Sequence, residues 1–103
     1  MRTSELSGAA LDYAVAMCEQ QRDDKDLCSP VEWHMAGYSS VWEFGGPIIE
    51  REKIELVPTI DIWDAYTQDA HVPGSGDTPL VAAMRCYVDS KLGDEVNVPE
   101  EIR

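Results

Sequence analysis

The clearest hydrophobic periodicity lies near the two ends of the chain. Between Gly8 and Gln20, Leu11, Ala14, Val15 and Cys18 recur at i, i+3, i+4 and i+7, the stripe of an amphipathic helix, with Asp12 and Glu19 off it. Ser7 stands at the cap position, and Leu6 with Leu11 has the spacing of a hydrophobic staple. The second pattern, Pro79 to Leu92, is punctuated at both ends. Thr78 is the expected cap, Pro79 suits the first turn, and Gly93 suits the stop. Leu80, Met84, Tyr87, Val88 and Leu92 make the expected buried stripe, with Ala83 beside it and Cys86 off it.

The middle of the chain is patterned less strongly. Gln20 to Asp26 is polar, carries Asp23, Asp24 and Asp26, and reads as a solvated loop. Val31, Trp33 and Met35 alternate with Glu32, His34 and Ala36, which predicts a short strand. After Gly45-Gly46, Pro47 opens a predicted helix running to about Lys53, with Glu50 and Glu52 suiting its dipole. Ile48, Ile49 and Ile54 would equally fit a strand. Ile54, Leu56, Ile60 and Ile62 alternate with polar residues around Pro58, which predicts two short strands, or one bent strand, as far as about Tyr66. Thr67 to Asp77, rich in Pro and Gly, reads as a turn or loop. Val96 and Val98 form an extended tail able to add an edge strand, while Glu100, Glu101 and Arg103 belong in water. No internal repeat interrupts this order. The expectation is one α+β domain over residues 1–103, with helices packed on a small antiparallel sheet.

Composition changes this picture in one respect. Apolar residues at 44% and charged residues at 27% are ordinary for a globular chain, but the formal charge of −12 is not. Nucleic acids and anionic membranes are polyanions that recruit Lys and Arg, so both are disfavoured as partners. A basic protein fits better, although charge of one sign also simply maintains solubility. Cys18, Cys28 and Cys86 form no CxxC and leave an odd thiol, which predicts free thiols in a reducing cytoplasm. No apolar run reaches the roughly 18–20 residues that span a bilayer, and no signal-peptide stretch opens the chain.

The candidate chemistry is sparse. His34 and His71 lie in no ligand or catalytic spacing, and each is more readily explained as a structural or exposed residue. On a strand, Asp61 and Asp64 would point to opposite faces and could not converge. Glu50 with Lys53, and Arg51 with Glu55, read as surface pairs. The Asp23, Asp24, Asp26 cluster lacks the glycine and distal glutamate of a calcium loop. Gly45-Gly46-Pro47 lacks the Lys-Ser/Thr of a phosphate loop, and Gly74-Ser75-Gly76 lacks a third glycine. Cys86 sits beside Arg85 but within a helix, away from the N-terminal field that activates thiols. No catalytic residue, cofactor or metal site is expected. Trp33, Trp42 and Trp63 are the candidate partner contacts, each weighed against a role in the core.

Three strings carry a resemblance: MRTSELSGAALDYAVA at the start, WEFGGPIIEREKIEL in the centre, and TPLVAAMRCYVDSKLGDEVNVPEEI at the end. Together they resemble the NinX-like proteins of tailed phages and prophages, a family with no established catalytic residues to carry over. The resemblance covers residues 1–18 and about 42–103 and leaves Glu19 to Tyr38 uncovered. It implies, through a more distant similarity to the phage α-β-α sandwich domain, helices covering a small antiparallel sheet. The chain departs from the family pattern at Ala14, where Trp is common. It departs again at Ser39-Ser40-Val41-Trp42, where Ser-Thr-Asp-Trp is usual and an acidic side chain is lost. The implied context is a phage accessory protein in the host bacterial cytoplasm. Four functions are weighed: a non-catalytic module binding a host or phage protein, an acidic mimic of nucleic acid that blocks a DNA-binding protein, a small enzyme without a recognisable motif, and an oligomerising structural module.

Overall fold

Thr78, Pro79 and Gly93 delimit a helix where the sequence predicts one. In the computed structural model, which describes residues 2–23, 37–68 and 73–100, the Thr78 hydroxyl accepts the Val81 amide at 3.1 Å. Gly93 closes the helix at φ 85°, its amide bonding back to the Asp89 carbonyl. The elements in chain order are a short 3₁₀ turn, Thr3–Glu5; α1, Gly8–Asp23; α2, Trp42–Glu52; β1, Glu55–Pro58; β2, Trp63–Tyr66; β3, Gly74–Gly76; and α3, Pro79–Leu92. The three strands form an antiparallel sheet in the order β1-β2-β3, which with the helices establishes the α+β class.

α3 is the centre of the molecule. It lies along the sheet, and α1, α2 and the N-terminal turn also pack against it. Its predicted stripe is buried at Leu80, Met84, Tyr87 and Val88, but so are Ala82, Ala83, Cys86 and Asp89. A helix enclosed on several sides needs more than one apolar face. Cys86, expected off the stripe, is fully buried because β3 covers that side. Leu92 is only half-buried.

β3 corrects the reading of Thr67–Asp77 as turn or loop. Its composition, Gly74-Ser75-Gly76, resembles a turn, yet the glycines serve close packing. A Cβ on Gly74 would stand 2.4 Å from the Ala82 carbonyl oxygen and 2.5 Å from the Cys86 amide nitrogen. The strand backbone lies directly on the helix backbone, and only glycine fits that approach.

α2 starts at Trp42, five residues before the expected Pro47. The Gly-Gly pair reads as a breaker, but Gly45 is another close approach: its Cβ would meet the Tyr38 carbonyl oxygen at 2.4 Å and Leu80 Cδ1 at 2.6 Å. Gly46 lacks the Cβ that the following proline ring would otherwise crowd, so Pro47 is tolerated within the helix. The helix ends in a Schellman motif. Lys53 adopts the left-handed conformation at φ 54°, the Ile54 amide bonds to the Ile49 carbonyl, and the Lys53 amide bonds to the Glu50 carbonyl.

α1 runs three residues past Gln20, into the stretch expected as loop. Its stripe of Leu11, Ala14, Val15 and Cys18 is buried as predicted, but Asp12 and Glu19 are buried too, each with a partner. The tail expected as an edge strand makes instead one antiparallel bridge, Arg2 with Glu95, while Val96 and Val98 enter the core. The predicted strand at Val31, Trp33 and Met35, together with His34, His71, Cys28, Asp24 and Asp26, lies outside the described residues.

Candidate protein-binding surface

Trp42 and Phe44 stand in the first turn of α2, where the helix emerges from the Gly37–Ser40 turn. Asp12 on α1 fixes that turn, its Oδ1 accepting the Ser39 amide at 2.8 Å. Gly45 and Ile48 anchor the inner face of α2, so the other side of its first turn faces water. Trp42 is 53% exposed and Phe44 44%, with Val41 exposed beside them. The Trp42 ring lies 3.8 Å from the position a Gly46 Cβ would take, and Phe44 meets the buried Tyr38 edge-on at 6.4 Å between centroids. The patch is therefore presented on a fixed base.

The three tryptophans have different fates. Trp42 is on the surface as a contact residue would be. Trp63 is half-buried, on the sheet face that meets α3, and packs against the core. Trp33 lies outside the described residues. Sequence reasoning missed Phe44 and Val41, which require knowing that the helix begins before the glycines.

Charge is organised on the opposite end of α2. Arg51 donates to Glu19 Oε1 on α1 and to Glu52 Oε2, each at 2.9 Å, and to the Tyr87 hydroxyl on α3 at 3.1 Å. Its guanidinium carbon also lies 5.6 Å from the centre of the Tyr87 ring. Lys91 approaches Glu52 Oε1 at 3.4 Å. Arg51 thus pairs with Glu19 and Glu52 and not with Glu55, the partner its helical spacing suggests, because Glu55 already belongs to β1. Burial works against charge on Glu52, but hydrogen bonding from Arg51 and the nearby Lys91 prevail and hold its carboxyl below the ordinary range. Burial likewise opposes the Arg51 cation, and its hydrogen bonds with Glu19 and Glu52 raise its pKa nonetheless.

The described thiols lack the setting of nucleophiles. Burial, then the Glu19 charge, pushes Cys18 up to about 12, and burial raises Cys86. Among the described residues no three His, Cys, Asp or Glu side chains converge as metal ligands. Asp61 lies in the turn between β1 and β2, and Asp64 within β2. A cleft of about 420 Å³ opens between the N-terminal turn and β3, lined by Arg2, Ser75, Arg85, Asp94 and Glu95 among others. Arg85 is already committed there: Nε donates to the Leu6 carbonyl at 2.7 Å and Nη1 to the Ser75 carbonyl at 2.6 Å. It ties two chain segments together, which accounts for a charged side chain at this seam. No described helix is long and apolar enough to cross a membrane.

These features define a small α+β protein whose distinctive exposed groups are aromatic and aliphatic. The chain belongs to the bacteriophage P22 NinX family, whose model matches residues 2–91. The match runs through Glu19–Tyr38, the stretch that the resembling strings leave uncovered. No curated protein matches the chain.

Proposed function

We propose that this NinX-family protein is a non-catalytic phage accessory protein that binds a basic host or phage protein in the host cytoplasm. The observation that carries the reading is the Val41, Trp42, Phe44 patch, exposed at the start of α2 on a base held by Gly45, Ile48 and Tyr38. Aromatic side chains give large contact area at low entropic cost and dominate interface energetics. The −12 charge would add long-range steering toward a basic partner.

The two contributions separate kinetically. In a binding measurement with a partner isolated from infected-host lysate, raising salt should slow association, because the Debye length falls from about 10 Å at 0.1 M. Dissociation should change little with salt. Trp42→Ala should instead speed dissociation by about tenfold, a loss near 1.4 kcal/mol. Binding abolished by salt and indifferent to Trp42 and Phe44 would favour imitation of nucleic acid. A chain that retains no partner yet turns over a substrate would be an enzyme.

A further inference from the structure

The β1–β2 hairpin exposes apolar side chains at its tip and, among carboxylates, on the sheet face turned away from α3. Cross-strand pairing puts Leu56, Ala65 and Gly74 on one face, with Pro58, Trp63 and Gly76. Gly74 and Gly76 abut α3, so that face is the inner one. Glu55, Val57, Asp64, Tyr66, Ser75 and, by alternation, Ile62 occupy the other. Ile62 is 38% exposed and Tyr66 41%, and at the tip Ile60 is 98% exposed. A lone exposed isoleucine would mean little. This one stands next to the exposed Ile62 and sits on a fixed turn. The Thr59 amide and hydroxyl both donate to the Ile62 carbonyl, at 2.9 and 2.7 Å, and the Ile62 amide bonds back to Thr59 Oγ1 at 3.3 Å. Turn tips favour Gly, Asn, Asp or Ser. Here a β-branched apolar side chain is held in water by a turn closed through a neighbouring hydroxyl.

The charged residues of the hairpin segment itself are of one sign. Residues 54–68 contain Glu55, Asp61 and Asp64 and no Lys, Arg or His. We propose that the Thr59–Ile62 turn is a preformed insertion element, with Ile60 entering an apolar pocket rimmed by Lys or Arg on the basic protein partner. The proposal rests on the protein-binding reading and adds the chemistry of the partner's site. A second copy of this chain fits poorly, because each brings a charge of −12 and the same carboxylates to the contact. Nucleic acid and anionic lipid are opposed by the same charges. Preorganisation of the turn lowers the ordering cost of insertion, and a fully exposed Ile60 contributes no packing to the fold.

The test places a photo-crosslinking benzophenone residue at position 60, with a control at the exposed Asn97, in infected-host lysate, and sequences the labelled peptide. The expected result is position-60 labelling of a basic protein on a segment combining apolar residues with Lys or Arg, with little from position 97. Ile60→Asp should weaken retention of that same protein about tenfold or more, and Ile60→Leu should retain it, at unchanged melting temperature. Equal labelling from both positions, or a labelled segment without Lys or Arg, would overturn the proposal. Loss of the partner with Trp42→Ala but not with Ile60→Asp would leave the protein-binding reading standing and refute the role of the hairpin. Retention of no partner by the wild type under any salt condition would refute both.

Discussion

Arg51 joins three helices through one guanidinium, and its partner Glu52 makes that junction sensitive to acid. Glu19 is buried in α1, Glu52 in α2 is 18% exposed, and both accept from the Arg51 guanidinium. The folded-state pKa of Glu52 lies below its ordinary value of 4.5, so its stabilising contribution is fully present above 4.5. That contribution is lost as pH falls through the lower folded-state value. Melting temperature should therefore drop as the protein is acidified below about pH 4.5. Glu52→Gln should melt lower near neutrality, by about 1 kcal/mol or ~5 °C, with a flatter acid limb. Thermal melts at a series of pH values, read by circular dichroism, measure both. An acid limb of the same steepness in the variant would place the titration elsewhere.

β3 and α2 depend on glycines for a reason that is not conformational freedom. At Gly74 and Gly45 the missing side chain is the space another backbone occupies. Gly74→Ala would drive a methyl into the Ala82 carbonyl and the Cys86 amide, neither of which can swing aside as a side-chain tip can. The sheet would have to move off α3, at about 3 kcal/mol or more, the upper range for overpacking a core. Ser75→Ala, between the two glycines and on the outer face, should cost under about 0.5 kcal/mol, since the Ser75 carbonyl that receives Arg85 is retained. Urea unfolding of the two variants distinguishes an approach-limited strand from an ordinary turn. Similar stabilities would show that β3 yields more easily than its contacts imply.

Across the whole molecule, stability is concentrated on α3 because every other element leans on it. Met84 is fully buried there, and Met84→Ala should cost about 2–5 kcal/mol through lost transfer energy and a cavity. Leu92 lies in the predicted stripe but is half-buried at the helix end, so Leu92→Ala should cost distinctly less. Equal losses in chemical denaturation would mean that the core extends further toward Gly93 than the burial pattern shows.

Local chemistry determined the ends of α3 from sequence alone, since Thr78, Pro79 and Gly93 satisfy or omit specific backbone groups whatever surrounds them. The α1 stripe was legible for a related reason: Leu11, Ala14, Val15 and Cys18 recur at the helical period, although Asp12, Ala16 and Glu19 are buried beside them. Ile54–Tyr66 was legible in part: Leu56 belongs to β1, but Ile60 and Ile62, read as alternating strand residues, lie in the turn. β2 starts only at Trp63, because cross-strand pairing, not the isoleucines, sets it. The start of α2, the existence of β3 and the burial of Asp12, Glu19 and Cys86 were decided by tertiary structure. Each depends on what a distant segment brings to that position: Leu80 and Tyr38 over Gly45, α3 over Gly74, Arg51 to Glu19. The candidate surface divides in the same way. The sequence supplied Trp42 and the acidic charge, but exposure is set by packing. Only the fold turned Trp63 inward and set Phe44 and Ile60 in water, because burial depends on which backbone lies opposite a side chain and not on its neighbours in the chain.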